Sequence, residues 1–392
     1  MSDMKLANAM SRLGTETAFD VLAKARALEA LGRSVIHLEI GEPDFDTPRH
    51  ITEAGVEALR SGATHYTPSA GIPELRLAIA QDAGRLRGME FRPSEVVVTP
   101  GAKPIMFFGL MALVDPGDEV IYPNPGFPIY ESVINFLGGK AVPVPLREDN
   151  DFAFDLDLLR SNVNERTKLI VINSPQNPTG GVLNRAAIEE IARLAEAFDC
   201  WVLSDEIYDR MLYEGEHVSI AALPGMRERT IILDGFSKTY AMTGWRLGYG
   251  IMPEALADQI AKLMTNSASC TAAFTQLAGI AALQGPQDAV TSMVAEFRAR
   301  RDLVVAGLNA IPGISCRLPK GAFYAFPNVT GTGQAAGTLA DYLLAEHGVA
   351  TLAGTSFGEY GEGYLRLSYA NSQANLREAL KRMGEAVAAL GR

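Results

Sequence analysis

The segment SKTYAMTGWRLGY, Ser237 to Tyr249, gathers basic and hydroxyl side chains between two apolar runs. Lys238 follows TIILDGF, a run that predicts a strand, so its amine falls at the carboxyl edge of a sheet, where open α/β sheets bind ligands. A lone loop lysine is ordinarily solvated, and Arg246, on its own, reads as a surface or ion-paired arginine. Asp205 closes CWVLSDEIY and puts a carboxylate on the same edge, although such an aspartate by itself is turn or cap chemistry. Asn177 lies in NSPQNPTGG, where Asn-Pro and Gly-Gly predict a constrained turn. Arg366 alternates with Leu365 and Leu367 in YLRLSYA, and a strand arginine faces solvent by default.

Together these residues have a shared chemistry. A lysine, two arginines, an aspartate, an asparagine and a tyrosine, most of them at strand ends of one sheet, make the inventory needed to hold and use pyridoxal phosphate. The lysine amine condenses with the cofactor aldehyde as a Schiff base that a substrate amine later displaces. A buried aspartate keeps the pyridine nitrogen protonated, so that the ring accepts electron density from Cα. The phosphate needs an arginine and backbone N–H groups at a helix start, and a second arginine can grip the substrate α-carboxylate through two hydrogen bonds.

Positioning such groups requires a large rigid scaffold, and 392 residues supply one, enough for two or three domains by the usual prior of roughly 150 per domain. Apolar residues make up 47% and charged residues 21%, which excludes an intrinsically disordered chain, a collagen or a coiled coil. With 35 Lys and Arg against 46 Asp and Glu, the net charge is −11, and nucleic acid and anionic membranes are poor partners. The three cysteines, Cys200, Cys270 and Cys316, are far apart and odd in number, so they form neither a disulfide framework nor a CxxC pair. The N-terminus lacks the apolar core of a secretory signal, and a cytoplasmic home is expected. The uncharged stretch Leu263 to Gln287 is long enough for a membrane span, but its Asn, Gln, Ser and Thr residues point to a buried helix plus loop.

From 96 to 252, apolar β-branched runs alternate with helical patterns: VVVT, EVIYP, AVPVPL, KLIVIN, CWVLSD, TIILDG and WRLGYGIM. Seven near-continuous strands separated by helices predict a mostly parallel sheet sandwiched by helices in one large α/β domain. Past Gly285 a long helix, roughly 289 to 310, leads into the strands ISCRL, AFYAFPNV, VATLA and YLRLSYA of a smaller α/β domain. A helix over about Glu16 to Leu31 has no sheet of its own and is expected to pack with that smaller domain. The division is therefore 1–45 as an N-terminal segment, 46–285 as the large domain and 286–392 as the small one. GTGQAAG at 331–337 follows a strand and precedes a helix like a dinucleotide-binding loop, but its glycine spacing is wrong, and a flexible loop is expected.

The chain resembles the class I aminotransferases of pyridoxal-phosphate fold type I, particularly the branch containing bacterial aspartate aminotransferases. The likeness runs from GEPDFDTP at 41 through HYTPSAGIPELR at 65, NSPQNPTGGVL at 173, SDEIY at 204 and SKTYAMTGWRLGY at 237 to YLRLSYA at 364. It implies that Lys238 is the Schiff-base lysine and proton carrier, that Asp205 pairs with the pyridinium nitrogen, and that Tyr208 and Asn177 hydrogen-bond the ring hydroxyl oxygen. Ser237, Arg246 and the backbone of Gly101 and Ala102, where GAKPIMFF starts a helix, would hold the phosphate. Phe127, in YPNPGFPIY, would stack on the ring. Arg366 matches the α-carboxylate arginine, Gly41 the backbone closing over that end, and Tyr66 the tyrosine reaching the phosphate of a neighbouring subunit, which implies a homodimer with shared sites. Asn124-Pro125 and Asn177-Pro178 are candidate cis peptides.

Substrate choice is more open. Some family members bind a distal carboxylate with an arginine from the partner subunit, and KLMTNSASCTAAF offers none at the corresponding stretch. In the branch with GGK at the phosphate loop, the lysine is similar to a side-chain carboxylate ligand, and Lys103 of GAK is either that ligand or a surface lysine near a helix start. The expected reaction is transamination between an L-amino acid, aspartate first, and a 2-oxo acid such as 2-oxoglutarate. A β-lyase on the same fold and a non-catalytic binding protein are the alternatives.

Overall fold

The computed structural model describes residues 5–390. α1 (Ala18–Ala30) and β1 (Ile36–His37) open the chain, followed by α2 (Arg49–Arg60), α3 (Pro73–Arg87), β2 (Val96–Thr99), α4 (Lys103–Leu113), β3 (Glu119–Asn124), α5 (Ile129–Leu137) and β4 (Lys140–Pro145). Next come α6 (Leu156–Asn162), β5 (Thr167–Asn173), α7 (Arg185–Ala197), β6 (Trp201–Asp205), β7 (Thr230–Gly235), β8 (Gly248–Ile251), α8 (Glu254–Ser267) and α9 (Ala273–Gln284). α10 (Asp288–Asn309), β9 (Tyr324–Ala325), α11 (Ala336–His347), β10 (Val349–Ala350), β11 (Leu352–Ala353), β12 (Leu365–Ser368) and α12 (Gln373–Leu390) complete it.

All seven expected strands join one sheet in the order β2-β8-β7-β6-β5-β3-β4, with β8 antiparallel to both neighbours and the other pairings parallel. Alternation of side chains along a strand explains why the runs are apolar throughout. In β5, Leu169 and Val171 pack in the core with Met106 and Leu110 of α4, whereas Ile170 and Ile172 face Ile188 and Ile191 of α7. The prolines of KAVPVP are tolerated because β4 lies at the sheet edge, where a missing N–H leaves no ladder bond unmade. The uncharged stretch at 263–287 breaks into the end of α8 and α9, and no helix among the described residues is long and apolar enough to cross a membrane.

The smaller part follows the expected rhythm less closely. β9, β11 and β12 form a three-stranded antiparallel sheet, and β1 pairs in parallel with β10. VATLA is therefore two strands serving two sheets. ISCRL is not a strand: Ser315 makes one isolated bridge to Asn328. The Asn309 side chain instead satisfies both backbone groups of Cys316, accepting from its N–H (2.8 Å) and donating to its carbonyl (3.0 Å), so a ladder has nothing left to bond there. The strand of AFYAFPNV shrinks to Tyr324–Ala325, with Pro327 just beyond it. In GTGQAAG a short turn brings Gly331 against the backbone of Gly313, and the N–H of Ala336 at the start of α11 donates to the Glu362 carboxylate (3.0 Å). The N-terminal helix lies against this part of the molecule, with Val21, Ala25 and Leu28 packed on Leu344 and Ala350.

Candidate active site

Parallel register brings the ends of β5, β6 and β7 level, with Asn173 opposite Asp205 and Asp205 opposite Leu233. Lys238 lies three residues past β7. Because β8 runs the other way, its start, Gly248 opposite Gly235, returns the preceding Arg246 to the same edge. These ends open into a cavity of about 480 Å³ between the sheet edge, the start of α4, the segment before α1 and the strand β12. Of the residues singled out from the sequence, Gly41, Ala102, Lys103, Phe127, Asn177, Asp205, Tyr208, Ser237, Lys238, Arg246 and Arg366 line it. Gly101 adjoins through its contact with Arg246. Tyr66 is outside the cavity and 88% exposed.

Asp205 is buried and accepts a hydrogen bond from the Tyr130 hydroxyl (2.5 Å) and another from the Ile207 N–H (3.2 Å). Desolvation dominates and pushes its carboxyl up to about 6, while the two donors and the Lys238 charge pull the other way. A carboxylate so placed gains by acquiring a cationic neighbour. The next residue, Glu206, is locked by Arg87 (2.8 Å), Ser204 (2.8 Å), Ser219 (2.7 Å) and His217 (3.0 Å), which fixes the strand end that carries Asp205.

Lys238 donates to the Gly41 carbonyl (2.5 Å), with part of its side chain open to the cavity. Desolvation of the amine is the largest influence and lowers its pKa to about 8; Arg366 and Arg246 add to this, and Glu42 and Glu16 oppose it. A lysine in that range is partly neutral near pH 7.5 and able to act as nucleophile and base.

The default expectation that a strand arginine faces solvent fails at Arg366, which is buried. Its guanidinium lies between the rings of Tyr324 (4.7 Å) and Phe357 (4.9 Å), donates to the Glu39 carbonyl, and donates to Asn177 Oδ1 (3.3 Å). Among the described residues no carboxylate pairs with it, and its Nε has no partner. A buried, forked cation facing a cavity without a counter-ion is a receptor for a carboxylate.

Asn173 ties the neighbouring turn together: it accepts from the Asn177 N–H (2.9 Å) and donates to the carbonyls of Pro175 (3.2 Å) and Asp205 (3.0 Å). Asn124-Pro125 and Asn177-Pro178 are both cis, as is Ser174-Pro175. Tyr208 shares a hydrogen bond with Tyr324 (2.7 Å), whose hydroxyl also explains Gly41, since a Cβ there would collide with it.

The opposite wall suits an oxyanion. Ser237 lines it, the backbone N–H groups of Ala102 and Lys103 precede the first bonded turn of α4, and Arg246 folds back over Gly101. Arg246 is held by the carbonyls of Thr243 (2.8 Å) and Pro100 (3.4 Å). A Cβ on Gly101, where φ is +86°, would strike that guanidinium. Phe127 meets Tyr130 edge to face (5.6 Å), and the Lys103 ammonium lies 5.3 Å from the centre of its ring. Lys103 also pairs with the carboxylate of Glu16. Tyr130, Tyr324, Asn173 and Glu16 are the cavity residues or supports that sequence reasoning missed. Tyr130 stood inside YPNPGFPIY, and the turn-forming Asn173 inside NSPQNPTGG; Glu16 and Tyr324 carried no comparable signal.

The sequence profile described as "Aminotransferase class I and II" matches residues 33–383. The chain belongs to that family. This aminotransferase is 44% identical over 355 residues to an aspartate aminotransferase of Pyrococcus abyssi, covering 90% of this chain and 91% of that protein. It is 42% identical over 353 residues to an aromatic-amino-acid aminotransferase of Thermococcus litoralis, covering 89% and 90%. The aspartate aminotransferase structure from Rhizobium meliloti superposes with a TM-score of 0.94 at 36% identity, covering 98% of this aminotransferase and 99% of that chain. The sandwiched seven-stranded sheet and the smaller part are thus the aminotransferase fold expected from the sequence.

Proposed function

We propose that this aminotransferase uses pyridoxal phosphate and moves an amino group between an L-amino acid and a 2-oxo acid in two half-reactions of a ping-pong cycle, with aspartate and 2-oxoglutarate as the first pair. The observation that carries this reading is one cavity holding a desolvated lysine amine, a buried carboxylate and a buried arginine without a counter-carboxylate. The donor set fits the cofactor: Gly101 leaves room that a Cβ would take from Arg246, and Asp205 has a spare need for a cation.

When bound, pyridoxal phosphate supplies an aldehyde carbon for amines to condense with and a protonated ring that takes up the electron pair released at Cα. Asp205 keeps the ring nitrogen protonated, and Tyr130 keeps Asp205 in place. Tyr208 and Asn177 would hydrogen-bond the ring hydroxyl oxygen, and Phe127 would pack against the ring. Ser237, Arg246 and the backbone at Gly101 and Ala102 take the phosphate. Arg366 takes the substrate α-carboxylate in two hydrogen bonds, while the segment at Gly41 closes that end. Lys238 would tether the cofactor through its amine, and that desolvated amine, when free, would hold or release a proton beside the substrate Cα. Lys103, which lines the same cavity, is the cation that a substrate side-chain carboxylate would meet.

The working unit we infer is a homodimer in which Tyr66 reaches the neighbouring site, and its 88% exposure supports that. Three free cysteines, two of them buried, support a cytoplasmic setting. Borohydride reduction of the loaded protein should add the cofactor to the peptide containing Lys238, and Lys238→Ala should lose both the adduct and turnover. Retention of either in the variant rejects the assignment of Lys238. Sedimentation as a dimer is expected, and a fully active monomer rejects the shared site.

A further inference from the structure

Lys103 begins α4 and Glu16 lies in the segment that leads into α1, and both line the cavity, their side chains joined as an ion pair. Glu16 is the more enclosed partner, its side chain 20% exposed against 48% for Lys103. The pair is flanked by apolar surface: Phe127 lies under the ammonium, and Phe19, Ala18 and Met106 line the same space. A substrate anchored at Arg366 and extending toward Lys103 therefore meets a neutralised cation and a carboxylate. An uncharged side chain finds an apolar surround and a closed ion pair. A side-chain carboxylate must displace Glu16 from Lys103 and then tolerate it nearby, because like charges at short range disfavour the charged form of each.

We propose that Glu16 is a specificity-determining residue of this aminotransferase, occupying Lys103 so that aspartate and other side chains with a distal carboxylate gain less over uncharged ones than a free Lys103 would give them. The proposal rests on the reading given above, in which Arg366 takes the α-carboxylate and Lys103 faces the side chain. It separates two roles that Lys103 could not fill alone: with Glu16 in place the site presents no net charge to an apolar side chain, and with Glu16 swung aside it presents a free ammonium.

The test compares the cofactor-loaded parent with Glu16→Gln, a near-isosteric change that removes the charge. Single-turnover half-reactions with L-aspartate and with L-phenylalanine give a ratio of rate constants per unit substrate. Calorimetry with succinate and with 3-phenylpropanoate gives a matching ratio of dissociation constants without turnover. Both ratios should shift toward the dicarboxylate by about 5-fold, equivalent to about 1 kcal/mol, the upper end for a half-exposed ion pair. Unchanged ratios, or a shift toward phenylalanine, overturn the proposal. In a Lys103→Ala background the shift caused by Glu16→Gln should fall below about 2-fold, since coupling appears as non-additivity. An undiminished shift there means that Glu16 does not act through Lys103, and also overturns it. A parent whose cofactor spectrum responds to no amino acid would instead bring down the aminotransferase reading on which the proposal stands.

Discussion

Replacing Arg366 with lysine tests the geometry most directly, because it keeps the charge and removes the fork. The guanidinium is held in plane by Tyr324 and Phe357 and oriented by the Glu39 carbonyl and Asn177, leaving one edge for a carboxylate. A lysine ammonium is a point charge with no plane to stack and can supply only one of two parallel bonds. Losing one charge-assisted hydrogen bond removes about 1.5 to 3 kcal/mol, which corresponds to a drop of about 10- to 150-fold in kcat/KM. The assay is the half-reaction followed by the change in cofactor absorbance, with an L-amino acid and with the amine that lacks its α-carboxylate. The decarboxylated amine never engages Arg366, so its much slower reaction should be nearly insensitive to the substitution. A kcat/KM unchanged for the amino acid, or an equal loss for both compounds, would refute the α-carboxylate site.

The pKa of about 8 at Lys238 predicts that cofactor uptake by the apoprotein accelerates about tenfold per pH unit below 8 and levels off above it, as the neutral amine accumulates; a flat profile from pH 6 to 8 contradicts the desolvated amine. Tyr130→Phe removes the 2.5 Å donor to Asp205, so the Asp205 carboxyl should titrate higher still and the cofactor dissociation constant should rise about 10-fold or more, measured by equilibrium titration. Unaltered affinity would show that Tyr130 serves packing alone. Gly101→Ala places a side chain at φ +86°, costing about 1 to 2 kcal/mol, and pushes Arg246 off the oxyanion wall. Phosphate and pyridoxal phosphate should then compete less well for the site in calorimetry, and parent-like binding would remove Arg246 from that role.

The large sheet was legible because each strand is buried on two faces and each connecting helix carries its own period, so local pattern and tertiary environment agree. The placement of Lys238 and Asp205 at one edge was legible because parallel strands deliver their ends there. The small sheets were harder. Two-residue strands such as β10 and β11 carry no periodicity, and at Cys316 a single asparagine side chain does what a neighbouring strand would do. Arg366 could be picked by resemblance, but its alternation with Leu365 and Leu367 suggested solvent; only the rings of Tyr324 and Phe357, brought in from other segments, cover that face. Tyr130 and Tyr324 act through hydroxyls that meet partners 75 and 116 residues away, a relation that no short window contains.

The pairing of β1 with β10 ties the segment that follows β1, which forms one wall of the cavity, to a strand the chain makes late. Glu39 and Gly41 follow directly on β1, and they touch Arg366 and Lys238 respectively. A shortened chain starting at residue 42 would keep every strand of the large sheet. It would nevertheless lack the carbonyls that aim the two cations, together with the core contacts of Ile36 and Leu38. During synthesis, too, that wall waits for the far end of the polypeptide, so competence for turnover arrives only after the last sheet has formed.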